Sequence, residues 1–105
     1  MEVSFKDKEL ERCALDASYG LRKLGASRSK LFWRRLDNIR QSENFESLRS
    51  LPGHFHELTG NRASEWACDL DQPYRLVFRA GENADGKIWI EITSAEILEI
   101  VDYHK

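Results

Sequence analysis

The hydrophobic period of the chain changes near Pro52-Gly53, and this change limits the folds that the chain can adopt. Before it, apolar residues recur at helical spacings, as Phe32, Leu36 and Ile39 do. After it, apolar and polar residues alternate with a period of two, which is typical of strands. A mainly helical half followed by a stranded half predicts an α+β domain.

The first half predicts a short strand followed by a helical hairpin. Residues 2–5 alternate between polar and apolar and predict the strand. One apolar stripe over about 7–24 predicts the first helix, which Gly25 ends. Gly20 lies inside that helix, where glycine costs about 1 kcal/mol relative to alanine, so we expect a bend there. Ser27 is expected to cap the second helix.

The second half predicts a mostly antiparallel sheet, so that the whole domain has four to five strands. Three strands are expected at 54–58, 65–70 and 74–78, and the segment from about 87 to 101 supplies a final strand or strand pair. One helical turn is expected near 45–49, before the sheet begins. Since 105 residues suffice for one core and not for two, residues 1–105 are predicted to form a single domain.

Composition indicates where the protein works. No apolar run approaches the roughly 20 residues that span a bilayer, and the first residues lack the apolar stretch of a secretory signal. A cytoplasmic protein without membrane contact is therefore predicted. The two cysteines, Cys13 and Cys68, lie in a helix pattern and a strand pattern without CxxC spacing, which favours buried free thiols.

Positive charge is concentrated in the helical half, although the net charge of the chain is only −2. Residues 20–40 hold seven basic side chains and one acidic one. This excess favours a surface that faces RNA or the ribosome, with Arg28, Arg34 and Arg35 as candidate RNA-binding residues. Two alternatives stay open: the charges form solvated helix faces, or an acidic protein partner covers them.

Arg75 is the main candidate for binding a phosphate. The alternation of its strand puts Tyr74, Leu76 and Phe78 on one face, and Arg75 with Arg79 on the other. Two arginines on one face are expected to hold a phosphate together. The alternative is that each one pairs with an acid on a neighbouring strand.

The C-terminus places an acid, a phenol and an imidazole side by side. A strand-like run leads into Asp102, Tyr103 and His104, and the period of two groups Asp102 with His104 and turns Tyr103 away. Imidazole exchanges a proton near neutral pH. A cation beside such an acid–base group, as Arg75 would be, is what metal-free cleavage of a phosphodiester requires. A frayed terminus is the alternative.

His54 and His56 lie on one strand face and, with Cys68 or His104, would be candidate zinc ligands. No further residue has metal-ligand spacing. We therefore predict no metal or cofactor, with the histidines at the surface or partly buried.

Several segments of the second half together resemble one known family. They are Leu51 to Arg62 (LPGHFHELTGNR), Trp66, Asp69-Leu70, Pro73 to Phe78 (PYRLVF) and Ile97 to His104 (ILEIVDYH). In this order they resemble the RelE/ParE superfamily of toxins from type II toxin–antitoxin modules, and most closely its HigB-like branch. The resemblance covers nearly the whole chain, and the RelE-like fold that it implies agrees with the order of elements predicted above.

The resemblance implies a bacterial toxin that cuts mRNA in the decoding site of the ribosome, without metal, until an antitoxin neutralises it. The implied antitoxin is a small helix-turn-helix protein, and operator DNA is contacted only through the toxin–antitoxin complex. Arg75 matches the family's phosphate-stabilising arginine. Asp102, Tyr103 and His104 match its C-terminal group for acid–base chemistry and base contact.

One position departs from the family pattern. HigB-like members commonly read Leu-Lys-Gly where this chain has Leu58-Thr59-Gly60, so a neutral hydroxyl replaces a phosphate-contacting lysine. One lost charge-assisted contact costs about 1.5–3 kcal/mol, and Arg62, Arg79 or His56 are the candidates to compensate for it. The alternative functions are a ParE-like toxin that inhibits gyrase by binding it, and a catalytically weakened relative that only binds its antitoxin.

Overall fold

The computed structural model of the chain describes residues 1–82 and 84–103. Its helices and strands are, in chain order, β1 (Glu2–Phe5), α1 (Lys8–Leu15), α2 (Ala17–Leu24), α3 (Ala26–Gln41), α4 (Phe45–Leu48), β2 (His56–Glu57), β3 (Glu65–Asp69), β4 (Tyr74–Ala80) and β5 (Ser94–Asp102). The strands form one sheet in the order β1-β5-β4-β3-β2. Strand β1 runs parallel to β5, and the other neighbours are antiparallel, so the predicted α+β fold is confirmed.

The predicted first helix is two helices, and the break falls at Asp16 rather than at Gly20. The backbone N–H of Asp16 donates to the carbonyl of Arg12 and so ends α1. Its carboxylate accepts a hydrogen bond of 3.1 Å from the N–H of Tyr19 and so caps α2. Gly25 ends α2 as predicted, with a φ of 81°. One aspartate thus turns the chain between two short helices.

Helix α3 begins without the predicted serine cap. Gly25 occupies the N-cap position, no side chain caps the helix, and α3 starts at Ala26. Its apolar stripe is buried as predicted, with Phe32, Leu36 and Ile39 at most 1% exposed. This stripe fixes the long helix against the sheet.

The strands differ from the prediction at their ends. Strand β2 has only two residues, because the chain just before it turns at Gly53 and His54, which have φ angles of 109° and 55°. Strand β4 continues to Ala80, and the final segment forms a short 3-10 turn at Trp89–Glu91 followed by the single strand β5. The predicted turn near 83–86 includes Asn83, which lies outside the described residues.

The helices cover one face of the sheet. Trp66, Leu76 and Phe78 pack there, and the ring of Phe45 from α4 lies 5.4 Å from that of Trp66, 5.7 Å from that of Phe78 and 5.4 Å from that of Trp89. We call the opposite side the outer face. It carries the other residues of the central strands: Glu65, Ala67 and Asp69 of β3, and Arg75, Val77 and Arg79 of β4.

Both cysteines are buried free thiols, as predicted. Burial is the main cause that raises the pKa of the Cys13 thiol, and burial also raises that of Cys68 well above its usual range. Since the thiolate is the nucleophilic form, neither cysteine is a candidate nucleophile at neutral pH.

Gly20 is needed where α2 crosses α1. A Cβ at this position would lie 2.7 Å from the carbonyl oxygen of Cys13, which also accepts a 2.9 Å hydrogen bond from the indole of Trp33. Helix propensity alone would make Gly20→Ala stabilising by about 1 kcal/mol, but overpacking costs about 1–3 kcal/mol. We expect a net loss of stability in urea unfolding, whereas the exposed Ser18→Ala in the same helix should change it by less than about 0.5 kcal/mol. A more stable Gly20→Ala protein would contradict this.

Candidate active site

Arg75 lies at the beginning of β4 on the outer face, and its side chain is only 19% exposed. Asp69 of β3 is directly opposite in the strand register, and Arg75 Nε lies 2.9 Å from Asp69 Oδ1. This Oδ1 is buried and accepts no well-aligned hydrogen bond, so the contact is an ion pair. Arg75 Nη1 donates to its neighbour's carbonyl, Tyr74 O, at 3.3 Å. The guanidinium is therefore held on two sides.

Within the described part of the C-terminal group, the ring of Tyr103 lies close to Arg75. In the β4–β5 register Arg75 faces Val101 and Tyr74 faces Asp102, so Asp102 lies on the face of Tyr74. The Cζ of Arg75 is 5.4 Å from the centre of the Tyr103 ring, within the range of a cation–π contact. Tyr103 is thus turned away from Asp102, as predicted, and towards the arginine. His104 lies outside the described residues.

Two histidines extend the site beyond Asp69. His54 Nδ1 lies 3.6 Å from Asp69 Oδ1, and the ring of His54 stacks on that of His56 with 4.1 Å between centres. The carbonyl of His54 lies 2.8 Å from His56 Nδ1. The structure therefore brings together Arg75, Asp69, His54 and Tyr103, of which the sequence prediction omitted Asp69 and His54 as acid–base or phosphate-site residues.

The short turn between β3 and β4 is the feature that could have identified Asp69, because it sets which residues of the two strands face each other. Leu70 N–H donates to Tyr74 O at 3.1 Å, and Tyr74 N–H donates to Asp71 O at 2.7 Å. A turn this short fixes the register, and the register places Asp69 opposite Arg75. His54 gives no comparable signal, because its left-handed backbone conformation depends on the chain before β2.

Three residues are proposed to compensate for the missing lysine at Thr59. Two of them, Arg62 and Arg79, have acidic partners, and the third, His56, stacks on His54. Thr59 is exposed. Arg62 is held between Glu65, at 2.9 Å, and Glu99, at 2.6 Å. Arg79 pairs with Glu96 at 2.8 Å and is four residues from Arg75, about 13 Å along the strand. Arg75 and Arg79 thus have different acidic partners, and the expectation that they hold one phosphate together stays a prediction. His56, through His54, adjoins the Arg75–Asp69 pair.

The three arginines predicted to bind RNA from the helices differ in their contacts. Arg28 forms an ion pair with Asp71 at 3.1 Å and stacks on the ring of Tyr74 at 3.4 Å. Arg35 Nε donates to the backbone carbonyl of Asp69 at 2.8 Å. Arg34 is exposed and makes no ion pair with any residue that the structure describes. Their contact with RNA stays a prediction.

The zinc alternative has no support in the geometry. Within the described parts of the chain, no group of three or more histidine, cysteine, aspartate or glutamate side chains is arranged to hold a metal ion. Cys68, one of its proposed ligands, is buried in the core on the helix side of the sheet, whereas His56 faces Ala67 of the outer face.

Comparison with known proteins identifies the family. The family described as RelE-like toxin of type II toxin-antitoxin system HigB matches residues 3–104. The chain belongs to this HigB-like family. Among solved structures, the fold is similar to the YoeB/ParE toxin from Agrobacterium tumefaciens, with a TM-score of 0.62, 12% identity and 95% of each chain covered. No curated protein shows a significant match to the sequence.

As a HigB-like toxin of a type II system, the protein has an antitoxin as its partner. No helix formed by residues 1–82 and 84–103 is long and apolar enough to cross a bilayer. The Agrobacterium tumefaciens structure shares the fold across nearly all of both chains, which supports the assignment of β1 to β5 as one continuous RelE-like sheet.

Proposed function

We propose that this HigB-like toxin is a ribosome-dependent endoribonuclease that cleaves mRNA without a metal and so inhibits translation in the cytoplasm. The observation that carries the proposal is the arrangement at Arg75: an arginine whose side chain is only 19% exposed, restrained by Asp69, beside a phenol at the end of β5. A fixed cation in a partly buried site stabilises a phosphorane more strongly than a mobile one in water.

In the proposed reaction the 2′-hydroxyl of the RNA attacks the adjacent phosphorus, and the bond from phosphorus to the 5′ oxygen breaks. The base takes the proton of the 2′-hydroxyl, and the acid gives a proton to the leaving 5′ oxygen. Arg75 stabilises the charge of the phosphorane. Asp102 and His104 are the candidate base and acid, and Tyr103 is assigned to contact the RNA beside Arg75.

The other parts of the proposal concern binding. Arg34, with Arg28 and Arg35 nearby on the same helix, is assigned to ribosomal or messenger RNA, and a small helix-turn-helix antitoxin is assigned as the neutralising partner. Arg62, Arg79 and His56 are assigned to further contacts with the RNA. Arg62 and Arg79 must exchange their glutamate partners for phosphate to take that part.

Induction of the toxin should produce new mRNA 5′ ends, mapped by primer extension, in a translated message. The same message without its ribosome-binding site is the matched control and should stay intact. His104→Ala should abolish the cuts at equal protein levels. Growth arrest with unchanged transcripts would overturn the proposal, and arrest that persists in His104→Ala would favour the gyrase-binding function of a ParE-like toxin.

A further inference from the structure

Asp69 is an acidic residue at a site that is expected to bind a phosphate. Its carboxylate is 2.9 Å from Arg75 Nε and has 28% of its side chain exposed. A carboxylate beside a phosphate site lowers the affinity for phosphate by like-charge repulsion. An acid at this position therefore favours the reaction only if it improves the action of the arginine by more than it weakens phosphate binding.

The backbone of Asp69 is fixed from two directions. Its N–H donates to Gly53 O at 2.8 Å, and its carbonyl accepts from Arg35 Nε at 2.8 Å. Gly53 is required here, because its φ is 109° and a Cβ would lie 2.6 Å from Arg35 Cζ. The end of β3 is thus tied to α3 and to the chain before β2. The Asp69 carboxylate therefore holds the arginine from a fixed position.

The contacts with Asp69 and Tyr74 leave one nitrogen of the Arg75 guanidinium without a partner among the described residues. Nε meets Asp69 and Nη1 meets Tyr74 O, while Nη2 makes no hydrogen bond among residues 1–82 and 84–103. An arginine loses the rotational freedom of several bonds when it is ordered on a ligand, and this loss costs free energy. An arginine that is already ordered by a carboxylate does not lose this free energy in the reaction.

We propose that Asp69 is a positioning residue, which holds the guanidinium of Arg75 in the orientation that stabilises the phosphorane and keeps His54 beside it. The inference rests on the proposed function and deepens it. Asp69 touches neither the RNA nor the reacting atoms; it acts through Arg75. By ordering Arg75, Asp69 raises the rate at which bound substrate is cleaved. The negative charge of Asp69 weakens binding of the substrate.

The test compares Asp69→Asn with Glu46→Gln, a matched control that removes one carboxylate from an ion pair with Arg49 outside the site. Cleavage is followed in single turnover on ribosomes programmed with a defined mRNA. For Asp69→Asn we expect the saturating rate to fall about tenfold or more, with a half-saturating concentration that is unchanged or lower. Glu46→Gln should change neither quantity. A residue needed only for folding would not produce this split.

The order of Arg75 itself is a second readout. The ¹⁵Nε order parameter of Arg75 should fall towards the flexible range, below about 0.6, in Asp69→Asn and stay at the wild-type value in Glu46→Gln. Asp69→Glu keeps the charge and should restore most of the order and of the rate. If Asp69→Asn fails to fold, Asp69→Ser takes its place, with the same expectations.

An Asp69→Asn toxin that cleaves as fast as the wild type, or faster, would overturn the inference, the latter because Asp69 would then restrain activity. If the wild type itself leaves every mRNA intact, the proposed function fails, and the order parameter alone decides. A fall for Asp69→Asn then supports the positioning of Arg75, and no change overturns it.

Discussion

Arg75→Ala should lower the saturating rate of mRNA cleavage about 10²- to 10³-fold, because removal of one preorganised donor to a developing oxyanion has an effect of this size. The structure gives the reason: the Arg75 side chain is 19% exposed, and its guanidinium pairs with Asp69 and contacts the ring of Tyr103. Single-turnover cleavage on programmed ribosomes measures the change. Growth arrest on induction should be lost in parallel.

Arg75→Lys sharpens this expectation. Lysine keeps the positive charge but loses the planar fork, which contacts Asp69 and Tyr74 O and, in the proposed reaction, would also contact the phosphate. We therefore expect Arg75→Lys to recover only a small part of the rate. Arg12→Ala is the control, since Arg12 is an exposed arginine of α1 that stacks on Tyr19 at 3.9 Å. Equal cleavage by Arg75→Ala and Arg12→Ala would exclude Arg75 from the chemistry.

The order of elements could be predicted because it depends on local pattern. The strand at 2–5, the buried stripe of α3 and the turn at α4 follow from residue spacing alone, and all three occur in the structure. The details that differ depend on single hydrogen bonds or on distant contacts. A carboxylate at Asp16 competes with the continuing helix, and a bulge at Leu98 shifts the register of β5 on β4.

The site was predictable in part for the same reason. Alternation along β4 is enough to put Arg75 on the face away from the core, and the structure agrees. The partners of the basic residues depend on which strands are neighbours. That Arg62 reaches Glu99 across 37 positions of the chain, or that the ring of Tyr103 lies close to Arg75, follows from the sheet order and register, which residue spacing does not supply.

Phe45→Ala should be the most destabilising single truncation that we expect in this core. The ring contacts Trp66, Phe78 and Trp89 within 6 Å between centres and has no exposed surface. Truncation of a buried phenylalanine to alanine costs about 3–5 kcal/mol, against a total stability of about 5–15 kcal/mol for a domain. We expect the thermal midpoint to fall by about 15 °C or more, measured by circular dichroism.

Leu15→Ala is the control for Phe45→Ala, because Leu15 is 77% exposed and its truncation should change stability by less than about 0.5 kcal/mol. Phe45 packs against the face of the sheet opposite Arg75, so well below its melting point the Phe45→Ala protein should cleave mRNA at nearly the wild-type rate per folded molecule. A loss of rate without unfolding would show that the core packing also sets the position of the outer face. A midpoint within 3 °C of the wild type would mean that α4 is not part of the cooperative core.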